Sequence, residues 1–422
     1  MKFNKWTLGL AAVGVVSLAS VAQAEEKMGS SVMTALSSTV LSGYVDTSMQ
    51  WNLGTGNAFA PAFKFNGPKK ADGFNLNVVK VTLEKPLDEA EWSAGYKTDL
   101  LFGPDANAFP GGLGTSSTGV SSDFAIKQAY VALRAPVGNG LDVKVGVFDS
   151  IIGYESTEAG NNPNFTRSWG HTIEPSTHTG VLASYRINNM IQLAAGVANT
   201  MSATINSRAF TPTGVGGKAE SYKTYMGSIA LTAPENWGFV SGSSLYGGVV
   251  NGFNNVVGTG ADQTSFYAGL TLATPVTGLR VGASYDYAGI SKQPLTGNNS
   301  AYANAVALYT SFQATEKLSL HVRGEYASLS KNLTSLAQGA NFFGTPGAIG
   351  GVPGEVLALT GTIQYDLWKN VISRLEVRWD HSLDGGKAFG NVGPGTTTGD
   401  GVFYGGSRKN SYIVAANLIY KF

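Results

Sequence analysis

The stretch Val371–Ser382, VISRLEVRWDHS, decides the fold. Leu375, Val377 and Trp379 alternate with Arg374, Glu376, Arg378 and Asp380. A period of two places alternate side chains on opposite faces of a β-strand, so one face here is apolar and the other carries four charges. Such a strand needs hydrocarbon on one side and a polar environment on the other. The same alternation recurs in Glu91–Phe102 and in Leu279–Tyr287, where Leu279, Val281, Ala283 and Tyr285 interleave with Arg280, Ser284 and Asp286. It recurs again in Leu318–Tyr326, with Arg323 and Glu325 on the polar face, and in Leu41–Trp51. A soluble sandwich can alternate too, so the pattern does not choose by itself.

Composition narrows the choice. The 422 residues are 43% hydrophobic and only 14% charged, with 55 Gly and 15 Pro. That is too little charge for an ordinary water-facing surface of this size, so something other than water covers part of it. Cysteine is absent, which removes disulfide frameworks and thiolate chemistry. At the N-terminus Lys2 and Lys5 precede an apolar run from Trp6 to Leu18, and Ala22-Gln23-Ala24 supplies a small-x-small cleavage pattern. Residues 1–24 are therefore expected to be a secretory signal peptide, and residues 25–38 a short periplasmic segment of unassigned role. Removing Lys2 and Lys5 takes the formal charge from +1 to −1. A near-neutral chain argues against nucleic acid as a partner. No later apolar run reaches the roughly 18 residues of a transmembrane helix, so a membrane form must cross with strands.

Strand length and loop rhythm point to the membrane. Many segments approach the ~9 to 11 residues that cross a bilayer at a tilt. Tight connections, such as Ala135–Gly140, Asn188-Asn189 and Leu367–Asn370, alternate with long Gly/Ser/Asn/Thr-rich ones, such as Gly103–Ser121, Ile151–Thr177, Ser328–Gly354 and Leu383–Gly406. Short turns on one side and long loops on the other are the mark of an outer-membrane barrel. Together they join about sixteen strands, an even number that returns both termini to the periplasmic side. Hydrocarbon offers no hydrogen bonds, so the ladder must close on itself. The expected fold is an all-β, closed antiparallel transmembrane barrel over residues 39–422, in contact with outer-membrane lipid. Leu375, Val377 and Trp379 are then expected to face acyl chains, and Arg374, Glu376, Arg378 and Asp380 a wet lumen. The C-terminal run Tyr412, Val414, Ala416, Leu418, Tyr420, Phe422 ends on an aromatic, which resembles the signal read by the outer-membrane assembly machinery. Trp92, Trp237, Phe239 and Trp368 fall near turns and suit an interfacial girdle.

The block Val145–Tyr185, VGVFDSIIGYESTEAGNNPNFTRSWGHTIEPSTHTGVLASY, is similar to the OmpL-like β-barrel porins of Gram-negative bacteria. So are LSGYVDTSMQWN (Leu41–Asn52) and KQAYVALRAPVGNGLDVKVG (Lys127–Gly146). The likeness covers nearly the whole chain after Thr39 and is most specific around Gly153-Tyr154-Glu155. It implies an outer-membrane location and passive diffusion of small solutes, with no catalytic or ligand residues to carry over. One departure is Val147, where a basic residue is expected.

A barrel of about sixteen strands is wide enough for an aqueous channel, so its narrowest point must come from a loop. Ile151–Thr177, the third long loop, carries Glu155, Glu158, Arg167, His171 and Glu174, and is expected to fold inward and narrow the pore. Wall cations Arg186, Arg280, Arg323, Arg374 and Arg378 are candidates to face Glu155 and Glu158 across the constriction. Because Asp99, Asp142, Asp286, Glu325, Glu376 and Asp380 share that face, local neutralisation is an equal expectation, and ion preference stays open. Cofactors, metals and catalysis are not expected. His171, His178, His321 and His381 lie on separate segments without metal-ligand spacing, and Asp149, His178 and Ser184 could form a hydrolase triad only without support from their spacing. The Gly-rich patches read as external loops rather than phosphate cradles. The leading reading is a porin for small hydrophilic solutes and ions; the alternative is a structural or adhesive barrel with a plugged lumen. The small-residue runs Leu193–Thr200 and Leu245–Gly252 would suit a homotrimer, by analogy of fold.

Overall fold

The computed structural model describes residues 39–54, 56–66, 70–109, 123–201, 203–209, 218–254, 261–291, 300–330, 353–397 and 403–422. The expected signal peptide and the segment 25–38 lie outside them. Sixteen antiparallel strands close into one barrel. In chain order these are β1 (Val40–Asn52), β2 (Gly73–Lys85), β3 (Ser93–Phe102), β4 (Phe124–Ala135), β5 (Leu141–Asp149) and β6 (Thr177–Arg186). There follow β7 (Ile191–Ala198), β8 (Thr224–Thr232), β9 (Ser244–Asn254), β10 (Ala261–Ala273), β11 (Leu279–Ile290) and β12 (Ala301–Gln313). The ring is completed by β13 (Leu318–Leu329), β14 (Glu355–Trp368), β15 (Val371–Ser382) and β18 (Asn410–Lys421), and β18 pairs with both β15 and β1.

β16 (Phe389–Thr397) and β17 (Phe403–Arg408) form a separate hairpin inside the last long loop, residues 383–409. The sequence did not announce it, since FGNVGPGTT has no apolar alternation. The hairpin touches the first long loop through a backbone bridge, with Phe59 N donating to Gly390 O at 2.8 Å.

The closing seam is tight. Gly43 N donates to Phe422 O at 2.9 Å and Phe422 N to Gly43 O at 3.0 Å. A Cβ at Gly43 would collide with the Lys80 carbonyl of β2 and stand 2.7 Å from the Phe422 ring, so glycine permits the close approach of both.

Side chains sort as the alternation requires. Leu375 and Val377 are each 52% exposed on the outer face, while Arg378 and Asp380 are fully buried on the inner one. The outer face continues through Leu359, Val322 and Leu308, all exposed. Trp92, Trp237, Phe239 and Trp368 are exposed at the turn end of the barrel. β-Bulges reset the phase in two places that alternation alone misreads, between Asp46 and Thr47 against β2 and between Asp99 and Leu100 against β4. They turn Asn77, Lys80 and Lys127 inward, where all three are buried.

Candidate functional site

The inner wall and the loop between β5 and β6, residues 150–176 and here called loop 3, are joined by a continuous set of polar contacts. Loop 3 leaves β5 through Ile151 and Ile152, which pack with Phe148, Leu182, Met226 and Val250 in an apolar cluster on the β5–β9 wall. Tyr246 Oη on β9 donates to Ile151 O. Tyr154 then continues along the neighbouring strands, stacking on Tyr309 of β12 with ring centroids 4.2 Å apart and sharing a 3.0 Å hydrogen bond with Thr271 of β10.

Past this point the charged ladder of β13 and β15 takes over. Arg323 Nη1 donates to Glu155 Oε1 at 2.8 Å and to Thr166 O at 2.7 Å, while its Nε donates to Glu325 Oε1 at 2.6 Å. Glu376 accepts from the backbone N–H of Phe165 and of Thr166, at 2.6 and 2.9 Å. Arg374 donates to Ala159 O at 3.0 Å and Asn162 O at 2.7 Å. Arg378 donates to Arg167 O at 2.6 Å and to Asp380 at 2.8 Å. A short helix α1 (Trp169–Ile173), capped by Ser168 Oγ accepting from His171 N at 3.0 Å, fixes Trp169 between β13 and β15. Its backbone N–H donates to Glu325 and its indole Nε1 to Asp380.

Glu158 reaches the other side of the ring, 2.7 Å from Lys80 of β2 and 3.0 Å from Lys127 of β4. Burial works to raise its carboxyl, and the ammonium charges of Lys80 and Lys127 outweigh it, holding the group below the usual carboxylate range. At the end of loop 3, burial and then the neighbouring Asp286 push the Glu174 carboxyl well above its ordinary value. His171 Nδ1 lies 3.0 Å from Glu174 Oε2, and burial together with the Lys64 charge keeps this ring neutral. The first loop packs onto loop 3: Lys64 N donates to Thr172 Oγ1 at 3.0 Å, Phe63 meets Trp169 edge-on, and the Arg378 guanidinium lies 3.9 Å from the Phe63 ring centre.

The candidate residues therefore fall into two groups. Glu155, Glu158, Arg323, Glu325, Arg374, Glu376, Arg378 and Asp380 are buried or nearly so and bonded within one network. These charges touch rather than face each other across a gap: a buried guanidinium needs its donors satisfied, and loop 3 supplies carbonyls and carboxylates to all of them. The wall is covered by protein there, whereas the alternation suggested water. Arg186 and Arg280 stand apart, half-buried near the turn end of β6 and β11. Sequence reasoning missed Lys80 and Lys127, which the bulges hide, and the inward packing of Phe63 and Lys64, whose segment has no period. The imagined triad is not assembled: Asp149 pairs with Lys127 at 2.7 Å, and the His178 ring nitrogens face Thr200 O and Ser150 Oγ. Val147, where a cation was expected, is buried in the wall between Ala129 and Thr179.

The family described as "Putative beta-barrel porin-2, OmpL-like" matches residues 38–422. The chain belongs to this porin family. Solved structures share its fold at low identity. The outer membrane channel DcaP of Acinetobacter baumannii is 13% identical, with a TM-score of 0.57, covering 93% of this chain and 100% of that one. An anion-selective porin from Comamonas acidovorans is 11% identical, with a TM-score of 0.57 over 91% of this chain and 99% of that one. The trimer form of OmpT, an outer membrane protein of Vibrio cholerae, is 12% identical, with a TM-score of 0.53 over 91% and 99%. No curated protein matches the sequence. Membership and fold together make this an outer-membrane β-barrel of the porin type, with small residues and charges inside and an apolar belt outside.

Proposed function

We propose that this porin lets small hydrophilic solutes and ions diffuse passively across the outer membrane, through a lumen narrowed by loop 3. The observation that carries the reading is the anchoring of loop 3 to inward-facing residues of β2, β4, β10, β12, β13, β14 and β15, which supports a fixed constriction rather than an external cap. Fixed charges and hydroxyls in such a narrowing set size and charge limits without any covalent step. Cleavage of residues 1–24, delivery by the assembly machinery through the C-terminal strand, and a homotrimer like the OmpT trimer form belong to the same proposal.

The plugged, structural barrel is the second reading. It is favoured by the burial of inward residues around the loop end, among them Gln50, Gln263, Ala303, Val356 and Ser382. Reconstitution of purified protein in a planar bilayer separates the two. Steady ion-conducting steps of uniform size support the porin; a folded protein that inserts and never conducts supports the plug.

A further inference from the structure

Resting on the porin reading, we infer that the passage favours small anions, such as chloride and short carboxylates, and that Lys144, Arg186 and Arg280 set this preference. The two signs of charge meet different fates on the inner wall. Inward carboxylates of the β13–β15 side are consumed: Glu325 by Arg323 and the Trp169 N–H, Glu376 by two loop N–H groups and Thr362, Asp380 by Arg378 and the Trp169 indole. Asp99 is held 3.3 Å from Lys80, and Asp46 accepts from Asn77.

Nearer the turn end, on β5, β6 and β11, the balance is reversed. Lys144, Arg186 and Arg280 face inward and are half-buried, and among the described residues none comes within 4.0 Å of a carboxylate. Lys144 Nζ sits 4.6 Å above the Tyr130 ring, a contact that brings no counter-charge within salt-bridge distance. Arg280 Nη1 is buried without a hydrogen-bond partner. Its side chain lines a cavity of about 30 Å³ beneath loop 3, with Tyr154, Thr271, Tyr309 and Ser311 on the other walls. A space of that size holds one water or one halide ion, and an unsatisfied guanidinium N–H there is explained by such an occupant. The nearby carboxylates are already matched, Glu84 by Lys97 at 3.2 Å and Asp142 by Arg134 at 2.6 Å. Asp88, Glu89 and Glu91 lie exposed in the connection after β2, beyond the strand ends. The field along this part of the wall is therefore positive, and narrow lumens amplify fixed charge.

The test is the reversal potential of purified full-length protein in a planar bilayer under a potassium chloride gradient. Wild type is expected to pass chloride in preference to potassium. R280Q and R186Q each lower the chloride-to-potassium permeability ratio roughly fivefold, since one unit charge about 8 Å from a permeating ion in water is worth about twofold and acts with opposite sign on chloride and potassium. K144Q/R186Q/R280Q removes the preference, whereas R134Q/D142N, which deletes a matched pair, leaves it in place. A wild-type reversal potential at zero or on the cation side overturns the inference while the conducting steps uphold the porin. A triple variant that folds and keeps its chloride preference overturns the assignment to these residues. Absence of conductance in folded wild type overturns the porin reading itself, and the inference with it. The wild-type sign alone is decisive, so a variant that fails to fold does not rescue the idea.

Discussion

Glu155 and Arg323 meet at 2.8 Å inside the barrel although 168 residues separate them in the chain. The guanidinium is completely buried and also grips Glu325 and the Thr166 carbonyl, so a single side chain ties loop 3 to β13 at two points. Removing one partner from a buried pair leaves an uncompensated charge, which costs about 3 to 5 kcal/mol. Arg323→Ala is expected to lose about that much stability, read as a lower temperature at which the barrel unfolds on a gel in detergent. Glu155→Gln keeps a hydrogen-bond acceptor and leaves Glu325 in place, so its loss is smaller. Equal loss for the two variants contradicts the two-point grip.

Loop 3 also carries two carboxyls displaced in opposite directions, which fixes the sign of a pH dependence. Glu158 is held low because Lys80 and Lys127 outweigh the effect of burial, so its contribution is complete above the ordinary glutamate value and disappears as the pH falls. Glu174 is held high by burial and then by Asp286. Between the ordinary value and the raised one the folded protein binds the extra proton, so stability declines as pH climbs through that window. Attachment of loop 3 is expected to be firmest near about pH 5. Protease cleavage at Arg167 across a pH series measures it. Glu158→Gln should flatten the acid arm and Glu174→Gln the alkaline arm; the reverse pairing would falsify the assignment.

The outward face makes a separate prediction about solvent. Val377 lies mid-strand on β15, and its register partner Gly361 has nothing within 4 Å of an added Cβ. Val377→Arg places a charge in hydrocarbon and is expected to destabilise the barrel by about 2 to 4 kcal/mol in lipid. The same change at Leu383, beyond the strand end, is expected to cost about 0 to 1 kcal/mol. Denaturant titration in phospholipid vesicles compares them. Similar costs at the two positions would mean that Val377 does not face lipid.

Much of this architecture was legible because a closed barrel imposes its rule residue by residue. Arg374, Glu376, Arg378 and Asp380 had to share one face, and they do. The partners of that face were harder to see. Alternation says which way Arg323 points and nothing about Glu155 arriving from a loop 168 residues away. Lys80 and Lys127 were hidden by bulges, since one extra residue inverts the apparent phase of everything beyond it. The β16–β17 hairpin and the inward turn of Phe63 are set by contacts with Gly390 and Trp169, which no local pattern encodes.

The position of loop 3 can be tested without measuring transport at all. A Cβ built on Gly170 lies 3.6 Å from Asp286 Cβ, inside the range that a disulfide accepts. The natural chain has no cysteine, so G170C/D286C introduces a pair with no competing thiol. Oxidation is expected to join residues 170 and 286 nearly completely in the folded barrel, detected as a linked peptide by mass spectrometry, and not in the unfolded chain. Asp286 sits on β11 and faces inward, so the crosslink forms only if α1 lies inside the ring against that strand. If loop 3 instead capped the barrel from outside, the two thiols would stay reactive toward maleimide after folding. Should the crosslink form and conductance remain within about twofold of the reduced protein, the anchored loop is compatible with ion passage; a collapse of conductance on oxidation would show that passage needs loop 3 to move away from β11.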